Sequence, residues 1–207
     1  MKNIPNILTV LRLLACPLLI YLFSPAFRYK YENLLTDASP LRWILIIFVL
    51  ACLTDFFDGY LARKESYKSN FGKFLDPIAD KLLIITMCGL IIFHYSFEPF
   101  FDFLIGIPLY IIITREIIVS LLRFNLADNN KNINVSLLSK YKTFLQMIAI
   151  GSFILSIGVS AAVFPGGHNV YFRSLLPLLS IFLIWLSAFV TIITGVQHFK
   201  TYLKLKK

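Results

Sequence analysis

Asp55-Phe56-Phe57-Asp58-Gly59-Tyr60-Leu61-Ala62-Arg63, followed after a short basic stretch by Gly72, Asp76 and Asp80, decides how this chain must fold. The spacing is D-x2-D-G-x2-A-R-x8-G-x3-D-x3-D, and it closes one apolar segment and opens the next. A carboxylate beside hydrocarbon costs about 2.5–3.5 kcal/mol on insertion scales, so four acting independently cost about 10 kcal/mol. The aspartates must therefore face the interior of a helical bundle, with something cationic to neutralise them. Metal ions are the natural candidates.

The surrounding chain supports a membrane setting. Its 207 residues are 58% hydrophobic, above the apolar share of soluble domains, and its mean hydropathy is +0.77. Apolar windows at roughly 7–24, 42–62, 73–97, 102–126, 140–163 and 173–199 approach or reach the length a bilayer requires. The expected fold is all-α and integral to the membrane. It has six transmembrane helices, a short N-terminal surface segment over 1–6, and a single domain over 1–207. Asn6 or Thr9 would cap the first helix, and 25–41 would form a long outer loop. The net charge of +9 follows from topology and implies no nucleic-acid partner. Cys16, Cys52 and Cys88 have no metal-ligand spacing and read as packing residues. His94, His168 and His198 read as interfacial packing.

Orientation follows from the basic residues. Lys2, Arg63, Lys64, Lys68, Lys73, Arg123, Lys131, Lys140, Lys142, Lys200, Lys204, Lys206 and Lys207 collect on one side of the windows. Only Arg28, Lys30, Arg42 and Arg173 fall on the other. The positive-inside rule puts both termini in the cytoplasm, at a cell inner membrane. At 1.5 Å per residue, Asp55 and Asp58 lie about 12 and 7 Å outward from Arg63, while Asp80 and Asp76 lie about 12 and 6 Å outward from Gly72. As antiparallel neighbours, the two helices would set Asp55 opposite Asp80 and Asp58 opposite Asp76. The i,i+3 and i,i+4 spacings keep each pair on one helix face.

Hard oxygen ligands in such a cluster favour Mg2+ or Mn2+. Four carboxylates suffice for two ions, with one carboxylate free to act as a general base. Gly59 and Gly72 leave room for a ligand near the backbone, Ala62 keeps that face shallow, and Arg63 offers a fork to a phosphate. Plainer readings exist for each part: Asp76-Pro77 as a helix cap with proline at the first helical position, Arg63 as a topology anchor, Gly72 as a packing residue. None of them accounts for four aspartates at helical spacing on two successive spans.

The stretch from Asp55 to Asp80 resembles the signature of the CDP-alcohol phosphotransferases. The resemblance implies that Asp55, Asp58 and Asp76 ligate a pair of divalent metals. Asp80 would be a ligand or the base that deprotonates the incoming alcohol. Gly59, Arg63, Ser69 and Gly72 would hold the CDP group. It also implies a six-helix membrane fold with a short N-terminal surface helix, and a homodimer.

The acceptor must be recognised elsewhere. Arg115-Glu116 sits well inside the fourth window, where an intramembrane arginine marks function unless it only pairs with Glu116 or with the aspartates. Arg115, Arg123, Lys140 and Lys142 together suit a dianionic phosphate, as on glycerol 3-phosphate. Asn3-Ile4-Pro5-Asn6-Ile7-Leu8-Thr9 with Arg12, Thr114-Arg115-Glu116-Ile117 with Arg123, and Lys140-Tyr141-Lys142-Thr143 with Gln146 are similar to the family's bacterial phosphatidylglycerophosphate synthases, as is Val196-Gln197-His198. Ser139 departs from the glycine expected before Lys140. This similarity implies transfer of a phosphatidyl group from CDP-diacylglycerol to glycerol 3-phosphate. Two alternatives stay open. One is a sister enzyme making cardiolipin, phosphatidylinositol phosphate or phosphatidylserine; the other is a divalent-cation transporter.

Overall fold

The computed structural model describes the backbone of 4–32, 39–64, 70–95, 102–128, 137–163 and 175–206, and the side chains of 9–24, 41–54, 78–79, 81–93, 103–123, 125, 141–158 and 175–204. Every described residue is helical. The helices are α1 (Ile4–Glu32), α2 (Ser39–Lys64), α3 (Asn70–Tyr95), α4 (Ile107–Asp128, preceded by a π-helical turn at Asp102–Gly106), α5 (Leu137–Val163) and α6 (Leu175–Lys206). Each apolar window of the sequence corresponds to one helix, so the all-α expectation holds. Among the described residues, Phe103–Arg123, Tyr141–Gly158 and Leu175–Lys204 are long and apolar enough to cross a bilayer, and α1, α2 and α3 carry shorter apolar stretches at Thr9–Ser24, Leu41–Thr54 and Lys81–Phe93.

The packing closes into a ring. Going round it, α1 touches α2, α2 touches α5, α5 touches α6, α6 touches α4, α4 touches α3, and α3 returns to α1. A weaker contact between α3 and α5 crosses the middle. The sense of each pair can be read from its partners. A Cβ on Gly151 would meet Phe48 and one on Gly158 would meet Leu41, so α2 and α5 run antiparallel. Gln146 pairs with Thr191 and Ser156 with Ser180, so α5 and α6 do too. Leu104 pairs with Trp185 and Arg115 with Thr194, so α4 and α6 run in parallel.

The distribution of residues is inverted relative to a water-soluble protein. Leu14, Trp43, Phe93, Phe103, Phe182 and Phe189 are exposed on the outside, whereas Arg12, Glu116, Lys142, Gln146 and His198 are buried. Hydrocarbon as solvent accounts for this pattern, since water would favour the reverse. An apolar core formed by Leu19, Ile44, Phe48, Leu83, Met87 and Phe153 fills the ring elsewhere.

Four expectations need correction. Helix α1 already includes Asn6 and Thr9, so neither caps it. Hydrocarbon tolerates the interior Pro17, because neighbouring helices can satisfy the freed carbonyl. The expected loop at 25–41 is taken up from both ends, since α1 runs to Glu32 and α2 starts at Ser39. Helix α3 starts at Asn70, so Asp76-Pro77 lies inside the helix and the capping explanation for Asp76 falls. Finally, α2 and α3 each pack against α1 more than against one another. Two helices joined by a short connection need not be nearest neighbours when a third offers both a better groove.

Candidate active site

The acidic half of the site is set by helix register. On α2 the buried stripe runs through Ile44, Phe48 and Ala51. Steps of four and three residues carry it on to 55, 58 and 62, the positions of Asp55, Asp58 and Ala62. On α3 the buried Leu83 and Met87 continue backward to 80 and 76, the positions of Asp80 and Asp76, with Ala79 buried between them. The backbone is helical throughout both stretches. The sequence spacing of the four aspartates thus continues the buried stripes of α2 and α3. Oxygen donors at that spacing suit a hard divalent cation.

Helix α1 sets the level of this layer. Cys16 on α1 lies beside Thr86 on α3. Arg12 lies four residues before Cys16, which puts it level with residue 82, about 3 Å from the level of Asp80. Arg12 is 1% exposed, and so contributes a buried guanidinium to the same layer. The side chains of Asp55, Asp58, Asp76, Asp80, Gly59, Arg63, Gly72 and Lys140 lie outside the described residues, although the helices carrying them are described. Ser69 lies outside the described residues altogether.

The cationic half is described in atomic detail. Glu116 on α4, 3% exposed, is its centre. Its Oε1 accepts from Lys142 Nζ on α5, from Arg115 Nη1 at 3.3 Å and from Gln146 Nε2 at 3.3 Å. Gln146 also donates to Thr191 Oγ1 at 3.0 Å, and Arg115 Nη2 donates to Thr194 Oγ1 at 2.9 Å, both on α6. Two turns further along α4, Arg123 Nη2 lies 3.3 Å from His198 Nε2. A guanidinium only donates, so Nε2 accepts and the proton of a neutral His198 sits on Nδ1.

Two features give this cluster a direction. Among the described residues, Arg115 Nε and Arg123 Nε are buried with no hydrogen-bond partner, and a buried unsatisfied donor costs about 1–3 kcal/mol. Arg115, Arg123, Lys142 and the nearby Lys81 outnumber the carboxylate of Glu116 among the described residues, leaving an excess of positive charge. The cluster is also linked to α3. Lys81, adjacent in sequence to Asp80, donates from Nζ to Ser120 Oγ on α4 at 2.6 Å, and Ser120 donates to the Glu116 carbonyl oxygen.

Arg115, Arg123 and Lys142 are therefore brought together as the sequence suggests. The ion pair of Arg115 with Glu116 also forms, but it uses only one of the guanidinium's nitrogens. His198 is corrected from interfacial packing to a buried partner of Arg123. Thr191 and Thr194 were missed. Their signal was present as a polar stripe, Ser180, Ser187, Thr191, Thr194 and His198, at steps of seven, four, three and four along an otherwise apolar helix. Helix α5 begins at Leu137, so Ser139 does not start it, and its departure from glycine does not displace Lys142.

A buried cationic cluster built around Glu116 inside a lipid-facing helical bundle suits a membrane enzyme for anionic substrates. The family model for CDP-alcohol phosphatidyltransferase matches residues 2–193. A protein of Rickettsia bellii is 41% identical over 201 residues, covering 96% of this chain and 94% of its own. One of Wigglesworthia glossinidia brevipalpis is 43% identical over 180 residues (86% and 90%), and one of Bacillus subtilis 31% identical over 201 residues (96% and 94%). All three are named CDP-diacylglycerol–glycerol-3-phosphate 3-phosphatidyltransferase. This chain belongs to the CDP-alcohol phosphatidyltransferase family. That membership sets aside the cation-transporter alternative.

Proposed function

We infer that this protein is an enzyme of phospholipid biosynthesis that transfers the phosphatidyl group from CDP-diacylglycerol to glycerol 3-phosphate, giving phosphatidylglycerophosphate and CMP. The names of its relatives support the reaction. The observation that carries the choice of acceptor is the pair of guanidinium donors on Arg115 and Arg123 left unsatisfied among the described residues, in a cluster with an excess of positive charge. A phosphate monoester dianion supplies the matching charge and acceptor oxygens, and Arg presents two parallel donors to it. A neutral alcohol or a zwitterionic amino acid brings no net negative charge to match that excess.

In this mechanism Asp55, Asp58, Asp76 and Asp80 hold two divalent ions, Mg2+ or Mn2+. When bound, these neutralise the pyrophosphate and stabilise the attacking and leaving oxygens. Gly59, Arg63, Ser69 and Gly72 receive the CDP group. Arg115, Arg123, Lys140 and Lys142 hold the acceptor's phosphate. Asp80 takes the proton from its primary hydroxyl, the resulting oxygen attacks the β-phosphorus, and the bond to CMP breaks. The link from Asp80 through Lys81 to Ser120 favours this division of labour, because it joins the base-bearing helix to the acceptor-binding helix.

Six membrane-spanning helices, a single domain, cytoplasmic termini and active site at the inner membrane, and a homodimer complete the proposal. The six helices, the charge asymmetry and the family resemblance support these features. The acceptor assignment is tested by supplying purified protein and CDP-diacylglycerol with glycerol 3-phosphate, inositol phosphate, serine or phosphatidylglycerol in turn. Product is expected with glycerol 3-phosphate; preferential turnover of any other acceptor would overturn the assignment.

A further inference from the structure

We propose that Glu116 is a positioning residue for the acceptor, a role that rests on the acceptor assignment above. It aims Arg115 and Lys142 at one point, and its single negative charge tunes the pocket to a phosphate dianion. Three cations converging in a bundle interior repel one another strongly, because the surroundings screen poorly. Glu116 makes their convergence possible by holding Arg115 and Lys142 on one oxygen. The carboxylate is in turn held by Gln146, which α6 fixes through Thr191. Three helices thus determine where the two cationic groups sit.

A purely structural ion pair would look different. Buried structural charges are compensated and their hydrogen-bonding capacity is used up. Here, among the described residues, one anion faces several cations, and Arg115 spends Nη1 on Glu116 and Nη2 on Thr194 but leaves Nε unspent. That excess of positive charge favours a phosphate monoester dianion. A phosphodiester monoanion would neutralise less of it, and a zwitterion would neutralise none. Glu116 therefore sets selectivity by charge count as well as by placement.

The test uses full-length Glu116→Gln and Glu116→Asp, each checked for folding by size-exclusion chromatography and thermal stability. Glu116→Gln is expected to raise KM for glycerol 3-phosphate about 10- to 150-fold, the loss of one charge-assisted hydrogen bond. KM for CDP-diacylglycerol should change by less than about twofold. Glu116→Asp, which keeps the charge, should recover part of the loss, and competitive inhibition by inorganic phosphate should weaken in step with KM. A structural role would disturb both KM values together, so equal changes would overturn the proposal. So would an unchanged or lowered KM for glycerol 3-phosphate in folded Glu116→Gln. If Glu116→Gln does not fold, Glu116→Asp carries the same comparison, a selective rise in KM for glycerol 3-phosphate supporting the proposal and equal changes overturning it. Arg115→Lys and Lys142→Met separate the two layers of inference. If these raise KM for glycerol 3-phosphate and Glu116→Gln does not, the positioning role alone fails. If none of the three does, the acceptor site itself is misplaced.

Discussion

Gly195→Ala should damage acceptor binding far more than any of three other glycine-to-alanine changes in the same bundle. A Cβ at Gly195 would lie 3.1 Å from Arg115 Cγ, 3.5 Å from Nε and 3.9 Å from Cδ. The tightest of these contacts involves Cγ, close to the backbone, where the side chain cannot simply swing aside. Arg115 must retreat by a few tenths of an ångström or change rotamer. Either movement draws on bonds with little slack, to Thr194 at 2.9 Å and Glu116 at 3.3 Å. Losing one hydrogen bond to a charged group costs about 1.5–3 kcal/mol, which corresponds to roughly 10- to 150-fold in KM for glycerol 3-phosphate.

The controls isolate the cause. At Gly89 a Cβ meets nothing within 4 Å, at Gly151 it meets Phe48 at 3.6 Å, and at Gly158 it meets Leu41 at 3.8 Å. All three are ordinary contacts or open space, and each substitution gains up to about 1 kcal/mol of helix propensity. Gly89→Ala, Gly151→Ala and Gly158→Ala should therefore be neutral or stabilising, with normal kinetics. Steady-state kinetics with both substrates varied, alongside thermal unfolding in detergent, would read both effects. A Gly195→Ala protein with wild-type KM for glycerol 3-phosphate would refute the reasoning and show that Arg115 is not held where the acceptor binds.

Asp80→Asn should lower kcat by about 100- to 10,000-fold, the usual contribution of a general base, and full turnover by this variant would end the base assignment. Trp185→Phe removes the indole donor that Leu104 O accepts at 2.9 Å. A π-helical turn leaves such carbonyls under-satisfied, so a loss of about 0.6–1.7 kcal/mol is expected by thermal unfolding. Ser156→Ala should change stability by less than about 1 kcal/mol, because Ser156 and Ser180 each bond their own helix at 2.7 and 2.8 Å and meet one another only at 3.5 Å. A larger loss would mean that the α5–α6 contact depends on that pair.

Much of the fold was legible because hydrocarbon is a demanding solvent. Apolar windows gave six helices, and the placement of charge marked which parts had to be interior. Helix ends were less legible: α1 extends to Glu32 and α3 starts as early as Asn70, since helices continue past the apolar core into polar flanks that hydropathy ignores. The ring order was not legible. Nothing in the connection between α2 and α3 says that both prefer α1, because that choice depends on side-chain fit across helices distant in sequence. The helical spacing of Asp55, Asp58, Asp76 and Asp80 could be read from the sequence alone, and it continues the buried stripes of α2 and α3, while the aspartate side chains lie outside the described residues. For the cations, sequence gave Arg115, Arg123 and Lys142 but not the hub. Glu116 looked like a mere counter-ion because one dimension cannot reveal that Lys142 and Gln146, 26 and 30 residues further on, reach the same oxygen. His198 was misread because only the packing of α4 beside α6 brings Arg123 to it.

CMP release from CDP-diacylglycerol by the purified protein tests the central claim most directly, measured with and without Mg2+ or Mn2+ and with and without glycerol 3-phosphate. Release that requires both the metal and glycerol 3-phosphate, with phosphatidylglycerophosphate formed in equal amount, is the predicted result. Release that persists after chelation, or that ignores glycerol 3-phosphate while responding to another alcohol, would contradict it.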